Sequence, residues 1–352
     1  MKKLFPILFF LSFFLSLPLT AQLILNADGQ NNTYELITAK LAPNYNPIEV
    51  PDCGHTSFGR HIDEIFDDEL NEYVFRFFIH TDEDDDRCIN FDRQRNEIKT
   101  YNQSPDSLLG VQDEIVEYKW KFKLPEGFQS SSKFTHIHQL KAVGGTESSM
   151  PLITLTTRKG SPDELELRYA ESLSQETLHE VNIAPFIDTW CEATETVTYG
   201  ESGTYEMIIK RVSDNAILFS YNNDNIRMWK TQADFIRPKW GIYRSLVFVE
   251  DLRNEEVLFA NFSISELSLN SVAVKSPLRN EIQFYPNPFN EFVRIDGISE
   301  DVSFEILDSS GGKIWEGKTK NNQINLSHLP KAIYFVNLYF DDKIISKRLI
   351  KK

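Results

Sequence analysis

The sequence predicts an all-β fold: a two-sheet β-sandwich of the jelly-roll type, followed by a second, smaller β unit. Three observations predict it. Short runs alternating apolar and polar residues recur along most of the chain. Gly, Pro, Asn or Asp punctuate the gaps between them, and long helical periodicity is nearly absent. Alternation sends successive side chains to opposite faces of a strand, so each run can bury one face and wet the other. The composition can supply a sizeable core, since 41% of the 352 residues are hydrophobic and 12% are aromatic. The formal net charge of −15 argues against bulk attraction to nucleic acid. A local basic cleft could still bind an anion, because screening weakens the influence of distant charges.

The chain opens with MKKLFPILFFLSFFLSLPLTAQ. Lys2 and Lys3 precede an apolar run rich in Phe and Leu, and Thr20-Ala21 offers small residues for cleavage. Residues 1–21 therefore read as a secretory signal peptide. Pro6 and Pro18 bracket the run and argue against a membrane anchor, and no later stretch is apolar enough to span a bilayer.

Residues 22–270 carry the large sandwich. Its strand-like runs include Tyr73–Ile79, Glu117–Leu124, Leu152–Thr157, Glu164–Tyr169, Tyr205–Arg211 and Ala216–Tyr221. Regular strand spacing in a domain of this size points to a jelly roll. Residues 271–280 (SVAVKSPLRN) lose the strand density and read as a linker, and residues 281–352 form the second unit. An exported chain can oxidise its cysteines, and Cys53 and Cys88, which flank two strand-like runs, are the expected disulfide. Cys191 is then a buried thiol. No CxxC and no Cys/His ligand spacing suggests zinc. The acidic run Thr81–Arg87 (TDEDDDR) lacks the Gly and terminal Glu of an EF-hand loop and reads as a solvated loop. A monomer is expected.

Three segments place ionisable side chains on one face of a strand. In DRQRNEIKTY, residues Arg93, Arg95, Glu97 and Lys99 share a face. Three cations around one carboxylate could grip an anionic sugar, with Glu97 holding a guanidinium; a solvated strand laced with ion pairs is the alternative. In FTHIHQLK, parity separates Phe134, His136, His138 and Leu140 from Thr135, Ile137, Gln139 and Lys141. Phe134 and Leu140 suit the core, which puts Gln139 and Lys141 in a cleft and the two histidines on the inner or shoulder side. Ile137 breaks the split, so the histidines stay open. In RPKWGIYRSL, Trp240 and Ile242 suit the core, while Lys239, Gly241 and Tyr243 share the other face. Gly241 could leave a space where a substrate approaches closely.

Arg95-Asn96-Glu97-Ile98-Lys99, Gln139-Leu140-Lys141 and Lys239-Trp240-Gly241-Ile242-Tyr243 occur in that order. Together they resemble the three motifs of jelly-roll alginate-lyase-type enzymes: an Arg-x-Glu strand, Gln-Ile-His, and Tyr-Phe-Lys-Ala-Gly-x-Tyr. The likeness covers most of residues 50–265. It departs at the family's histidine, where Lys141 stands. That departure, with FDRQRNEIKTY and RPKWGIYR, looks most like the ulvan lyases of polysaccharide lyase family 28, which are secreted by marine Bacteroidetes. The resemblance implies a concanavalin-like jelly roll and β-elimination at a uronic acid of ulvan, leaving an unsaturated uronate end. It implies a catalytic pair at Lys141 and Tyr243, with Arg95, Gln139, Lys239, Arg93 and His138 binding substrate or neutralising its carboxylate. No cofactor is expected for the chemistry. A structural calcium is expected on the resemblance alone, without named ligands.

β-Elimination requires the uronate carboxylate to be neutralised, the C5 proton removed and the leaving O4 protonated. Lys141 could be the base if neighbouring cations such as Arg95, Lys239 or Arg93 lower its pKa from about 10.4. Tyr243 would then be the acid, or would do both jobs in a syn elimination. The reverse assignment, with Tyr243 as base and Lys141 as neutraliser, stays open. Sulfated ulvan would call for further cations, with Arg158, Arg168 and Arg244 as candidates. The alternatives are a glucuronan or alginate lyase of the same fold, or a non-catalytic carbohydrate-binding jelly roll. A glycoside hydrolase needs two facing carboxylates, and the cleft strands offer only Glu97.

The second unit resembles the C-terminal sorting domain of the type IX secretion system. The matching residues are Tyr285-Pro286-Asn287-Pro288, the Gly311-Gly312 turn, the Tyr334-Phe335-Val336 strand and the terminal Lys/Arg-rich strand. This resemblance implies a chain of the Bacteroidetes group, exported to the cell surface or medium by the type IX machinery, with the tail removed on secretion.

Overall fold

The computed structural model describes residues 22–267, 283–296, 298, 301–308, 312–339 and 344–352. The expected signal peptide, the linker and Gly311 lie outside the described residues. The chain divides into two compact units, Met1–Ser268 and Leu269–Lys352.

Among the described residues, the first unit has fifteen strands: β1 (Gln22–Leu25), β2 (Ile48–Glu49), β3 (Ile62–Asp67), β4 (Glu72–Ile79), β5 (Arg93–Lys99), β6 (Ile115–Lys123), β7 (Thr135–Val143), β8 (Ile153–Arg158), β9 (Glu164–Tyr169), β10 (Glu176–Asn182), β11 (Cys191–Thr198), β12 (Gly203–Arg211), β13 (Ile217–Ile226), β14 (Phe235–Ser245) and β15 (Glu255–Leu267). One sheet runs β13-β12-β11-β6-β15-β4-β3, with β1 paired to β15. The other runs β10-β9-β8-β7-β14-β5-β2. Consecutive strands β4, β5, β6 and β7 switch from sheet to sheet, as do β13, β14 and β15, which gives the jelly-roll sandwich.

The runs alternate for the expected reason. On β6, Val116, Tyr118, Trp120 and Phe122 are buried and the residues between them are part-exposed. These side chains meet Leu140, Leu155 and Trp240 of the opposite sheet in one core. Three strands of that opposite sheet behave differently. On β5, β7 and β14 nearly every residue is buried, on both faces. Their second face is polar, so burial there comes from a roofed cleft rather than from the core.

Helix α1 (Thr33–Leu41) was not legible in the sequence. It is short, and it packs through only Thr33, Ile37 and Leu41, one residue per turn.

The second unit holds β16 (Gln283–Tyr285), β17 (Phe292–Asp296), β18 (Ser303–Leu307), β19 (Lys313–Lys318), β20 (Gln323–Asn325), β21 (Ile333–Tyr339) and β22 (Ile344–Ile350). They form two sheets, β16-β17-β20 and β19-β18-β21-β22, over a shared core that includes Val293, Ile295, Ile306, Val336 and Leu338.

Candidate functional site

The site is a set of cross-strand rows on the polar face of β5, β14, β7 and β8. Antiparallel register puts Arg95, Tyr243, His136 and Thr156 in one row. Lys99, Lys239, Gln139 and Thr154 make a second row, and Arg237 pairs with Lys141 beyond it. Directly opposite residues of neighbouring strands share a face, so these side chains converge on a cavity of about 340 Å³. Six cations line it, Arg87, Arg93, Arg95, Lys141, Arg237 and Lys239, against the single carboxylate of Glu49. A chain of net charge −15 thus concentrates positive charge in one cleft.

A register shift explains why simple parity misassigned part of β7. It lies between His136 and His138; a second shift, between Trp240 and Tyr243 on β14, leaves Lys239 and Tyr243 on one face, as read, together with Arg237. A bulge inserts one residue and reverses the alternation beyond it. His136 and Gln139, three residues apart, therefore both line the cavity, while Ile137 and Leu140 join the core. Phe134, expected in the core, also lines the cavity, with its ring 4.8 Å from His136 and 5.0 Å from Tyr243. His138, expected to help bind substrate, is on the other side. It is fully buried, lies 4.3 Å from the Trp120 ring, and has Nε2 2.9 Å from Glu195 of the facing sheet.

Gly241 also differs from expectation. Its φ is +140°, and a Cβ there would lie 2.1 Å from Asn96 O. Glycine is needed for the close approach of β5, so the space is filled by backbone and does not admit substrate.

Beneath the cleft lies an ion-pair network. Glu97 is bonded to Arg95, Gln139 and Lys239. Lys239 also reaches Glu49 at 2.6 Å, as does Lys99. Burial alone would raise the Glu49 carboxyl, but Lys239, Arg95, Lys99 and Arg87 outweigh it and hold it far below the usual carboxylate range. Burial opposes ionisation of Glu97 too, and Lys239 with Arg95 again lowers it. Arg95 donates to Asp86 at 2.8 Å, and its guanidinium sits 3.7 Å from the Tyr243 ring centroid. Most of its donors are therefore used within the protein. Arg237 lines the cavity with fewer commitments: Nη1 makes one long contact to Thr100 O at 3.5 Å, and its buried Nε has no protein partner.

Two groups stand out chemically. Burial, then Lys239, Arg95 and Arg237, lower the half-buried Lys141 to about 8. Its ammonium donates to Ser149 O at 2.8 Å. Burial raises Tyr243, and Arg95 and Arg93 only partly offset this. Arg93 donates to the phenol oxygen at 2.9 Å, which leaves the phenol's own proton free for another acceptor. His136 is driven down to about 3, mainly by burial, so its ring is neutral; Nδ1 lies 2.7 Å from Thr156 Oγ1.

Of the expected cleft residues, Arg93, Arg95, Gln139, Lys141, Lys239 and Tyr243 line one cavity. Arg244 does not: it is buried against Gln94 and Arg253 O. Arg158 and Arg168 pair with Glu166 and lie outside the cavity lining. Arg237 and Glu49 were missed, while His136, whose face had stayed open, lines the cavity. Arg237 could have been found, since it shares parity with Lys239. Glu49 lies on a two-residue strand with no pattern of its own.

Cys53 and Cys88 form the expected disulfide, and Cys191 is a buried free thiol. The acidic run is not a solvated loop: Asp84, Asp85 and Asp86 are all buried. Glu164, Glu166 and Glu180 form the one all-oxygen group among the described residues, and they lie within one sheet. The structural calcium expected on the resemblance has no ligand set assigned.

Residues 283–352 match the secretion system C-terminal sorting domain. This tail marks the chain for type IX secretion to the cell surface or medium. No helix among the described residues is long and apolar enough to cross a membrane. No curated protein matches the chain in sequence. Among solved structures, the marine PL-14 alginate lyase from Aplysia kurodai is 13% identical with a TM-score of 0.47, over 68% of this chain and 97% of that one. The endo-β-1,4-glucuronan lyase from the fungus Trichoderma reesei is 12% identical with a TM-score of 0.41, over 58% and 86%. The alginate lyase PA1167 from Pseudomonas aeruginosa is 13% identical with a TM-score of 0.41, over 62% and 96%.

Proposed function

We propose that the protein is a secreted polysaccharide lyase that cleaves a uronate-containing chain by β-elimination, with ulvan as its substrate. The reading rests on one observation above the others. A single cationic cavity joins a lysine lowered to about 8, a protonated phenol capped by a guanidinium, and an arginine with spare donors.

In this mechanism the uronate carboxylate is met by Arg237 and by the second N–H of the Gln139 amide. Their hydrogen bonds strengthen as charge moves onto the carboxylate during C5 deprotonation. Neutral Lys141 takes the C5 proton, and the C5–H electrons form the C4–C5 double bond. The C4–O4 bond breaks, and O4 receives the Tyr243 proton. Solvent exchange then returns Lys141 and Tyr243 to their starting states. The opposed shifts of the two groups favour lysine as base over the reverse assignment. Arg95 acts by positioning, since it spans the Tyr243 ring and the carboxylates beneath.

A second reading follows from the register, which puts His136, not Lys141, directly opposite Tyr243, with ring centroids 5.8 Å apart. There Tyr243 serves as both base and acid, and neutral His136 polarises the carboxylate.

The test is ultraviolet absorbance of the unsaturated product on ulvan, glucuronan and alginate. Lys141→Ala and Tyr243→Phe are each expected to lose at least about 100-fold in rate. Retained activity in Lys141→Ala with loss in His136→Ala selects the second reading. No product from any of the three polymers overturns the lyase assignment.

A further inference from the structure

We propose that His55, His61, His80 and Asp84 form a structural binding site for one zinc ion, outside the cleft. Their donor atoms all lie within 4.8 Å of one another. Asp84 is at the centre: Oδ1 lies 2.9 Å from His55 Nδ1 and 3.1 Å from His61 Nε2, and Oδ2 lies 3.2 Å from His80 Nδ1. Tetrahedral zinc with bonds of about 2.0–2.1 Å sets neighbouring donors roughly 3.3 Å apart, close to these separations.

The hydrogen-bond arithmetic is also consistent with a metal. A neutral imidazole has one N–H, so it can donate to only one of two carboxylates. His61 faces Asp52 through Nδ1 at 2.7 Å and Asp84 through Nε2. His55 faces Asp84 through Nδ1 and Glu83 through Nε2 at 3.2 Å. In each ring one nitrogen serves an outer carboxylate, and the other presents a lone pair toward a carboxylate oxygen. Either a second ring proton or a metal between ring and carboxylate removes that conflict, and only the metal accounts for three imidazoles gathered around one carboxylate. The outer carboxylate then orients the ligand ring, as partners of metal-bound histidines do. Tyr34 donates to Asp52 at 2.9 Å and holds that second layer in place.

Three imidazoles and one carboxylate suit zinc, whereas calcium takes oxygen donors. Four protein ligands close the coordination shell, which indicates a structural ion. Phe58 covers the cluster, with its ring 4.8 Å from His61 and 4.4 Å from His80.

The ion would fix the segment that serves the cleft. Asp86, two residues after Asp84, holds Arg95, and Gln94 Nε2 donates to Asp84 O at 2.9 Å. The Cys53–Cys88 disulfide joins the chain just before His55 to the end of the Asp84 segment.

The test uses the full chain purified with zinc sulfate and then dialysed. One equivalent of zinc by elemental analysis is expected. Chelation should lower the melting temperature by at least about 5 °C, and zinc but not calcium should restore it. Cobalt(II) in its place should show the visible absorption of four-coordinate cobalt. Asp84→Ala removes a buried carboxylate on which folding can depend, so His55→Gln is measured beside it. That variant should keep a native circular dichroism spectrum, lose the zinc and melt at a temperature insensitive to chelator. Metal-free protein with melting indifferent to chelator overturns the proposal, and so does restoration by calcium alone. These readouts are independent of catalytic activity, so they stand or fall separately from the lyase assignment.

Discussion

Lys141 sits beside Lys239, Arg95 and Arg237, and each of these like charges disfavours its ammonium form. A lysine lowered to about 8 holds a usable neutral fraction near neutrality and more above it. A base acts deprotonated, so kcat/KM on the uronate polymer should rise with pH through about 8 and level off above it. Initial rates at low substrate across that range check this. A flat profile there removes Lys141 as the base. Tyr243 sets no opposing limb in this range, because burial keeps its proton on.

The bulge on β7 helps to build the cleft, because it brings both His136 and Gln139 to the cavity face. On β14 the close approach to β5 depends on Gly241. A methyl group there meets the β5 backbone, which cannot swing aside like a flexible side chain. Gly241→Ala should therefore destabilise the first unit by about 2–3 kcal/mol. Chemical denaturation with an unchanged m-value would show it, and a change below about 0.5 kcal/mol would mean that the strands separate easily here. The strands themselves were legible to within a few residues: β9 runs Glu164–Tyr169 as read, and β4 and β8 differ by one residue at their ends. The bulges were not legible, because an inserted residue leaves the local hydrophobic pattern almost unchanged. Ile137 was the one hint on β7.

At the scale of the whole molecule, export and the proposed chemistry reside in different parts of the chain. A chain ending before residue 283 should stay inside the producing cell, while the full chain reaches the surface or medium. The shortened protein, once purified, should keep its activity on the polymer, because every cavity residue lies in the first unit. Immunodetection in cell and medium fractions, with rates on purified protein, checks both statements. Equal export of the two chains would show that residues 283–352 are dispensable for sorting.

The all-β architecture, the sorting tail, the Cys53–Cys88 pair and most of the cleft cations were determined by the sequence itself. Those features are local or modular: alternation is read within a strand, and the tail motif is contiguous. The tertiary structure alone decided which polar residues meet. His138 and Glu195, 57 residues apart, pair between the sheets, while His136 turns to the cleft. Glu49 reaches Lys239 across 190 residues. His55, His61, His80 and Asp84 show no ligand spacing because two loops and two strand ends bring them together. Strand order and register set such contacts, and neither is encoded in the spacing of residues along a single run.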